Sequence, residues 1–270
     1  MFRSDEPSGK DRPKQEAEAE AYDSQDTVVN VAESIGQPVD QLLNPYLVLF
    51  HDPTGYRAEQ VRGLRNKLIA MNPDSAAKTL VVTSAIRGEG KSVTAINLAM
   101  AFAERERTPV ILVDADMRFP TAERYLHLDP AEGLSEVLFG HAGLEQAVRP
   151  SGVRNLAILG AGSRIAMPSE LLVGNRIEEL YARLKERYQY VVIDTPPVVP
   201  ATDASMLSAS ADGTLLVVRL EHSSKSLARD AVRNLRDLGA NVLGVFVTEV
   251  RGSTPETDAR LTYSAMEGQG

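Results

Sequence analysis

The stretch TLVVTSAIRGEGKSVTAINLAMAFAE, residues 79–104, joins an apolar run of β type to a helix-forming run through a turn that contains two glycines. Residues 85–92, AIRGEGKS, fit the phosphate-binding pattern G-x-x-x-x-G-K-[ST], except that Ala85 stands at the first glycine. Gly88 and Gly90 allow backbone N–H groups to turn toward one point, where the N-terminus of the following helix adds its positive dipole end. The stretch therefore predicts a strand, a loop that binds polyphosphate, and a helix.

Within this loop, Lys91 can reach the β and γ oxygens of a nucleotide, and the Ser92 hydroxyl is placed to ligate Mg²⁺. A dinucleotide-binding fingerprint fits less well, because its third glycine would fall at Val93. The alternative is an ordinary strand-turn-helix connection with a solvated lysine, and the buried-type strand before the turn favours phosphate binding instead. The predicted nucleotide contacts are Ala85, Ile86, Arg87, Gly88, Glu89, Gly90, Lys91, Ser92 and Val93.

Two further apolar runs end in carboxylates. VILVDADMRFP places Asp114 and Asp116 at the end of one strand, and YVVIDTPPVVP places Asp194 at the end of another. Ligands of open α/β sheets bind at this edge, so the three carboxylates are expected to converge on the metal and phosphates, where one could orient or deprotonate an incoming hydroxyl. Taken singly, an aspartate after a strand is often only a helix cap or turn residue.

Short apolar runs alternate with helical stretches from residue 79 to residue 250. One long helical stretch is predicted at residues 169–188, SELLVGNRIEELYARLKERY. Strands without period-2 alternation suit burial on both faces of a parallel sheet. The fold class is therefore predicted to be α/β: a doubly wound, mostly parallel sheet with helices on both faces, the P-loop NTPase fold.

The composition divides the chain into three parts: an acidic N-terminal tail (residues 1–43), a domain (44–250) and a C-terminal tail (251–270). The net charge is -8, and residues 1–45 contribute ten acidic and four basic side chains. The remaining -2 offers no basic footprint for nucleic acid. There is no cysteine for disulfides or thiolate metal sites. With no secretory signal and no apolar run of the roughly 20 residues that span a bilayer, a cytoplasmic location is expected.

Together, AIRGEGKS, ILVDADMRFP and VVIDTPPV resemble the Walker A, Walker A′ and Walker B motifs of the bacterial tyrosine kinases (BY-kinases) of capsular and exopolysaccharide assembly. The similarity runs from about Asn44 to Val250. It includes EQVRGLR, in which Glu59, Arg62 and Arg65 match the E-x-x-R-x-x-R pattern of subunit contacts in that family. By itself, such a strip of charges is more commonly a solvated helix face.

The resemblance implies Mg·ATP as the phosphoryl donor and tyrosine hydroxyls as acceptors, commonly in a C-terminal tail presented to a neighbouring subunit in a ring. Lys91 would hold phosphate, and Ser92, Asp116 and Asp194 would surround the magnesium ion. Asp114 would act as the base or orient the hydroxyl, a role that it could exchange with Asp116. Arg118 would reach phosphate or a regulatory partner.

Three features of the sequence depart from those of the relatives, two at single positions and one in the C-terminal tail. Ile86 stands where partition and septum-placing ATPases carry a signature lysine, and Thr248 stands where an asparagine is usual near the adenine. BY-kinases usually end in a cluster of tyrosines, but Tyr263 is the only tyrosine after Tyr190. Tyr263 is one candidate acceptor, and Tyr22 in the acidic tail is the second.

The resulting expectation is an ATP-dependent protein-tyrosine autokinase that regulates exopolysaccharide or capsule synthesis and export. A membrane-embedded polysaccharide co-polymerase or adaptor would recruit it to the inner face of the plasma membrane, and a homo-oligomeric ring is expected. Two alternatives remain at this point. One is a MinD/ParA-like switch ATPase, and the other is a non-catalytic, nucleotide-gated regulator of a polysaccharide export complex.

Overall fold

The structure is a computed structural model, and it describes residues 44–199 and 202–249. Two helices precede the first strand, and strands and helices then alternate to the end of the described part. In chain order the elements are α1 (Val48–His51), α2 (Tyr56–Ala70), β1 (Lys78–Ser84), α3 (Lys91–Ala103), β2 (Val110–Asp114), α4 (Ala122–Tyr125), α5 (Leu134–Phe139), α6 (Leu144–Ala147), β3 (Val148–Pro150), β4 (Leu156–Leu159), a 3-10 turn (Pro168–Glu170), α7 (Arg176–Lys185), β5 (Tyr190–Asp194), α8 (Asp203–Ala209), β6 (Gly213–Arg219), α9 (Lys225–Asp237) and β7 (Val242–Thr248).

The seven strands form one sheet in the order β3-β4-β2-β5-β1-β6-β7. All neighbouring pairs are parallel except β3 with β4. The predicted doubly wound, mostly parallel sheet is therefore confirmed. The short antiparallel edge strand β3 was not anticipated from the sequence.

Helices cover both faces of the sheet because the central strands are apolar on both sides. Leu80 and Val82 of β1 belong to an apolar cluster under α2 and α3, whereas Val81 belongs to a second cluster under α7. A third cluster joins Leu216 of β6 to α8 and α9 on the same face as the second. This double burial explains why the strands read as continuous apolar runs.

The order of the strands also determines where a ligand can bind. The chain leaves β1 toward β2 on one side of the sheet, and it leaves β6 toward β7 on the other side. Because β1 and β6 are neighbours, the loops that follow them diverge and open a crevice at the carboxyl edge. The phosphate-binding loop predicted after β1 lies at this crevice.

The single helix predicted at residues 169–188 is wrong in its first half. Only a 3-10 turn forms at Pro168–Glu170, and the helix begins at Arg176. Gly174 has φ of 82°, a left-handed conformation that interrupts a right-handed helix.

Part of the predicted organisation lies outside the described residues, namely the tails at 1–43 and 251–270 and the last domain residue, Val250. Within residues 44–199 and 202–249, no helix has the length and apolar character needed to cross a membrane.

Candidate active site at the carboxyl edge of the sheet

The phosphate-binding loop connects β1 to α3 and contains two glycines in a conformation that other residues rarely adopt. Gly88 and Gly90 have φ of 86° and 90°. The second of them precedes Lys91, the first residue of α3. The loop backbone and the N-terminus of a 13-residue helix are thus directed at the same point, as an anion-binding nest requires.

Lys91 lies at the centre of the site. Its Nζ is 2.9 Å from Asp116 Oδ2, 3.6 Å from Asp194 Oδ1 and 3.1 Å from Ser92 Oγ. Burial works against the charge of Lys91, but the attraction of Asp194 and Asp116 outweighs it, and the pKa of Lys91 is raised. The structure therefore brings together the lysine, the serine and two of the three carboxylates singled out in the sequence.

Asp114, the third carboxylate, is fully buried and holds the backbone of its own loop. Its Oδ1 accepts the N–H of Asp116 at 3.1 Å, and its Oδ2 accepts those of Thr121 and Ala122 at 2.9 Å each. Burial and the nearby charge of Asp194 raise the pKa of Asp114 to about 7. Asp114 thus fixes the position of Asp116 relative to Lys91.

Asp194 is buried with Lys91 as an ion-pair partner but without a hydrogen bond. Its side chain is completely inaccessible, and neither carboxylate oxygen accepts a hydrogen bond from the described residues. Burial raises the pKa of Asp194, although Lys91 opposes the shift. An orphaned carboxylate beside a serine hydroxyl and a second aspartate fits a Mg²⁺ ion, which prefers oxygen ligands.

No group of three or more His, Asp or Glu side chains in the described part of the chain is arranged to hold a metal ion by protein ligands alone. Mg²⁺ in phosphoryl-transfer sites is commonly bound through one or two carboxylates together with the phosphates of the substrate. Ser92, Asp116 and Asp194 are the residues here that could hold such an ion.

Arg118 has a partner that the sequence did not suggest. Its Nε donates to Asp203 Oδ2 at 2.8 Å, and its Nη1 donates to the carbonyl of Ala166 at 2.7 Å. The bond to Asp203 raises the pKa of Arg118. Arg118 therefore joins the loop after β2 to the start of α8, and its guanidinium is held there rather than by the phosphate-binding loop.

Residues after β6 that no sequence pattern singled out hold the phosphate-binding loop from the opposite side of the crevice. Glu89 is completely buried, its Oε2 accepts the N–H of Ile86 at 2.7 Å, and its Oε1 accepts the hydroxyl of Ser223. His222 Nε2 lies 3.2 Å from the carbonyl oxygen of Arg87. The one available signal was the position of His222 and Ser223 directly after an apolar strand.

Thr248, which stands where the resemblance leads one to expect an asparagine, also contacts this loop. Its Oγ1 donates to the carbonyl oxygen of Glu89 at 2.9 Å. Arg219, at the end of β6, donates to the carbonyl of Gly88 at 3.3 Å and pairs with Glu249 at 2.8 Å. The ends of β6 and β7 thus form one wall of the crevice.

The predicted oligomer-contact residues are engaged within the chain. Arg62 donates to Glu104 at the end of α3, from Nη2 at 2.5 Å, and also to Glu59 at 2.6 Å. Arg65 donates to Glu104 at 3.1 Å and to the carbonyl of Ala101 at 2.9 Å. These bonds clamp α2 against the C-terminal end of the helix that begins at Lys91.

The acceptor candidates Tyr22 and Tyr263 lie outside the described residues. The tyrosines of the folded part near α7 and β5 are in or beside the core. Tyr181 is buried and donates to the carbonyl of Leu207, and Tyr190 stacks on Phe102 with ring centroids 3.9 Å apart.

These features define the class of the protein: a doubly wound domain with a P-loop whose lysine faces carboxylates at the carboxyl ends of two adjacent strands. The family described as "AAA domain" matches residues 77–239. Tyrosine-protein kinase YwqD of Bacillus subtilis is 34% identical over 201 residues, which are 74% of this chain and 84% of that protein.

Solved structures give the same result. The chimerical protein CapA2B2 superposes with a TM-score of 0.70 and 32% identity, covering 81% of this chain and 96% of that one. The kinase domain of the Escherichia coli tyrosine kinase ETK gives 0.72 and 28%, covering 79% and 84%. The chain therefore belongs to the bacterial tyrosine-protein kinase family, and its predicted enzyme class is confirmed.

The septum site-determining protein MinD of Pyrococcus horikoshii is a more distant neighbour. It is 24% identical, with a TM-score of 0.56 over 68% of this chain and 77% of that one. This likeness establishes a common fold and nothing further.

Proposed function

We propose that this chain transfers the γ-phosphoryl group of ATP to tyrosine hydroxyls, first of all on copies of its own chain, and thereby regulates the synthesis and export of an exopolysaccharide or capsule. The observation that carries the proposal is the contact of Lys91 with Asp116 and Asp194 directly beneath the phosphate-binding loop, in a chain of tyrosine-protein kinase ancestry. Chemistry of this kind depends on positioning and charge neutralisation.

In the proposed reaction, the loop N–H groups and Lys91 hold the β- and γ-phosphates. Lys91 exchanges part of its contact with Asp116 and Asp194 for phosphate oxygens when the nucleotide enters. Ser92 and Asp194 would hold Mg²⁺, and the ion would supply neutralisation of the charge that develops on the phosphate oxygens. The tyrosine oxygen bonds to the γ-phosphorus, the bond from that phosphorus to the β–γ bridging oxygen breaks, and ADP leaves.

The phenol proton needs an acceptor. Asp114 and Asp116 are the two candidates. The hydrogen bonds that Asp114 already accepts favour Asp116 as the proton acceptor, in place of Asp114, the initial expectation. Both Asp114 oxygens already accept backbone N–H groups, and the side chain is fully buried. We assign the orientation and deprotonation of the tyrosine hydroxyl to Asp116, and to Asp114 the positioning of the loop that carries it.

The proposal includes a membrane-embedded adaptor or polysaccharide co-polymerase as partner and a ring of subunits joined through Glu59, Arg62 and Arg65. It is supported by the E-x-x-R-x-x-R spacing on α2 and by the membership of the family. The adaptor would hold the kinase at the inner face of the plasma membrane.

The test is peptide mass spectrometry of the whole chain after incubation with Mg·ATP, with and without a candidate adaptor. A Lys91→Met chain is the control, because methionine keeps the length of the side chain without its charge. Phosphotyrosine in the original chain and none in the control is the expected result. Consumption of ATP without phosphotyrosine would instead identify a switch ATPase, and nucleotide binding without turnover would identify a nucleotide-gated regulator.

A further inference from the structure

An arginine and a phenylalanine form an exposed stack at the mouth of the candidate active site. The Arg87 guanidinium carbon lies 3.6 Å from the centroid of the Phe119 ring, a close cation–π contact. The Phe119 side chain is 48% exposed and belongs to none of the three apolar clusters. The packing of the core therefore gives no reason for an aromatic residue at this position.

The stack is held next to the reacting groups by its backbone. The N–H of Phe119 donates to Asp116 Oδ1 at 3.1 Å, and Arg87 is part of the phosphate-binding loop. The backbone of Phe119 is therefore in direct contact with Asp116, the carboxylate to which we assign the phenol proton, and its exposed ring lies beside the site.

A second exposed arginine, Arg164, belongs to a segment that is bonded to the loop after β2. Ile165 donates its N–H to the carbonyl of Met117 at 3.1 Å, which places Arg164 beside that loop. The segment is anchored by Glu136, whose Oε1 accepts the N–H of Ser163 at 3.1 Å. Burial opposes the charge of Glu136, but bonds from Ser163 and Gly133 outweigh it and lower its pKa to about 2.

Neither Arg87 nor Arg164 forms an ion pair with a carboxylate among residues 44–199 and 202–249. Their charges are therefore available to an acidic ligand. The stack and the segment bonded beside it thus combine an aromatic ring with two arginines that have no carboxylate partner among the described residues.

Residues 15–26 of the chain, QEAEAEAYDSQD, have the complementary character. They carry five acidic side chains and no lysine or arginine around Tyr22. The matched stretch around Tyr263, residues 256–267, carries three acidic side chains and one arginine. Charge complementarity therefore favours Tyr22 over Tyr263.

The point at which the chain enters the described structure is close to the site. Asn44 donates its N–H to the carbonyl of Tyr125, the last residue of α4, and the first residue of α4 donates to Asp114. With a helical rise of 1.5 Å per residue, Asn44 lies within roughly 15 Å of Asp114. The 22 residues from Tyr22 to Asn44 can span at most about 75 Å, so the acidic segment can reach the site.

We propose that the Arg87–Phe119 stack, with Arg164, is the docking site for the acidic segment at residues 15–26, and that Tyr22 is the principal phosphoacceptor of this chain. The Phe119 ring packs on the tyrosine ring, and the two arginines attract the acidic residues that flank it. The phosphoryl group passes from ATP to the Tyr22 oxygen with release of ADP, and the phenol proton passes to Asp116. This inference rests on the proposed kinase function and names its substrate.

The first experiment maps and times phosphorylation in the whole chain. We expect Tyr22 to be modified before Tyr263, and combined Glu16→Gln, Glu18→Gln and Glu20→Gln substitutions to slow modification of Tyr22 about tenfold while that of Tyr263 is unchanged. Phe119→Leu is expected to slow modification of Tyr22 similarly by weakening ring packing. The matched control is Phe139→Leu, which alters an equally exposed phenylalanine on α5 and is expected to have no effect.

A second measurement separates the inference from the function on which it rests. Fluorescence anisotropy compares binding of labelled peptides 15–26 and 256–267 to the whole chain with Mg²⁺ and a non-hydrolysable ATP analogue. Tighter binding of peptide 15–26, weakened by Phe119→Leu, supports the docking site. Phosphate on Tyr263 alone overturns the inference and leaves the kinase function intact. Bound nucleotide with no phosphotyrosine overturns the kinase function, and the relative affinities of the peptides then decide the docking site.

Discussion

Among the residues of the site, the three aspartates of the carboxyl edge differ most in how their charge is satisfied. Asp116 and Asp194 both pair with Lys91, Asp114 accepts three backbone N–H groups, and Asp194 accepts no hydrogen bond from the described residues. A buried charge without hydrogen bonds lowers the stability of a folded protein. Asp194 is therefore the residue at which function and stability are expected to oppose each other.

Asp194→Asn is expected to make the nucleotide-free protein more stable, by about 1 to 3 kcal/mol at neutral pH, because the amide removes a desolvated charge. The folded-state pKa of Asp194 lies above its ordinary value of 3.8, so its ionisation lowers the stability of the original chain as pH rises from that value. The difference between the two chains should therefore grow as the pH rises above about 4. Urea denaturation in a chelating buffer measures it.

The same variant is expected to lose binding of Mg·ATP, measured by calorimetry. Asp230→Asn, an exposed substitution on α9, is the control and should change neither property. A stability gain that is absent, or that is equal at low and high pH, would contradict the assignment of Asp194 as a buried charge that Lys91 compensates only in part.

At the scale of the elements, α2 and α3 are joined by an ionic clamp. Arg62 and Arg65 keep only 21% and 14% of their side-chain surface exposed, and both contact Glu104, whereas Glu59 is 62% exposed. The clamp and the proposed contact between subunits use the same two arginines. An experiment on the oligomer must therefore distinguish the two roles.

We expect Arg62→Glu with Arg65→Glu to reduce the oligomer to smaller species in light scattering, because it reverses both charges of the proposed interface. It should also lower the free energy of unfolding by about 1 to 2 kcal/mol, since it places like charges against Glu104. Glu104→Gln is the control: it weakens the clamp but keeps both arginines. An equal loss of mass in this control would assign the effect to the clamp, and an unchanged mass in the double variant would exclude the interface.

At the scale of the whole molecule, the candidate site lies at the crevice where the order of the strands changes direction across the sheet. The loop after β1 is held from one side by Lys91 with Asp116, and from the other by Ser223, beyond β6, bonding to Glu89. A nucleotide bound in this crevice contacts segments that are distant in sequence. Its binding energy is consequently added to the stability of the entire fold.

We expect a non-hydrolysable ATP analogue with Mg²⁺ to raise the melting temperature of the whole chain. At a ligand concentration 100 times the dissociation constant, linkage gives about 2.7 kcal/mol. For a domain of this size, that is a rise of roughly 5 to 10 °C in differential scanning fluorimetry. Lys91→Met should remove most of the shift, and a full shift in that variant would contradict the role of Lys91 in holding phosphate.

The local pattern of the sequence was sufficient for the parallel strands of the sheet and for the positions of the glycine-rich loop and the carboxylates that follow them, but not for the antiparallel edge strand β3. Apolar runs buried on both faces, glycines at Gly88 and Gly90, and aspartates directly after strands are features of neighbouring residues, so they can be read without knowing the fold. The same local reading failed at residues 169–188, because helical composition on both sides concealed the interruption at Gly174. Resemblance to relatives supplied the enzyme class.

Only the tertiary structure decided which side chains meet across long separations in the chain. Arg118 pairs with Asp203, Glu89 with Ser223, and Arg62 with Glu104, each more than 40 residues away. The exposed contact of Arg87 with Phe119 likewise arises because the loops after β1 and β2 converge at one edge. Such partners follow from the order of strands in the sheet and from the crossing of helices over it, which bring together residues that no local pattern relates.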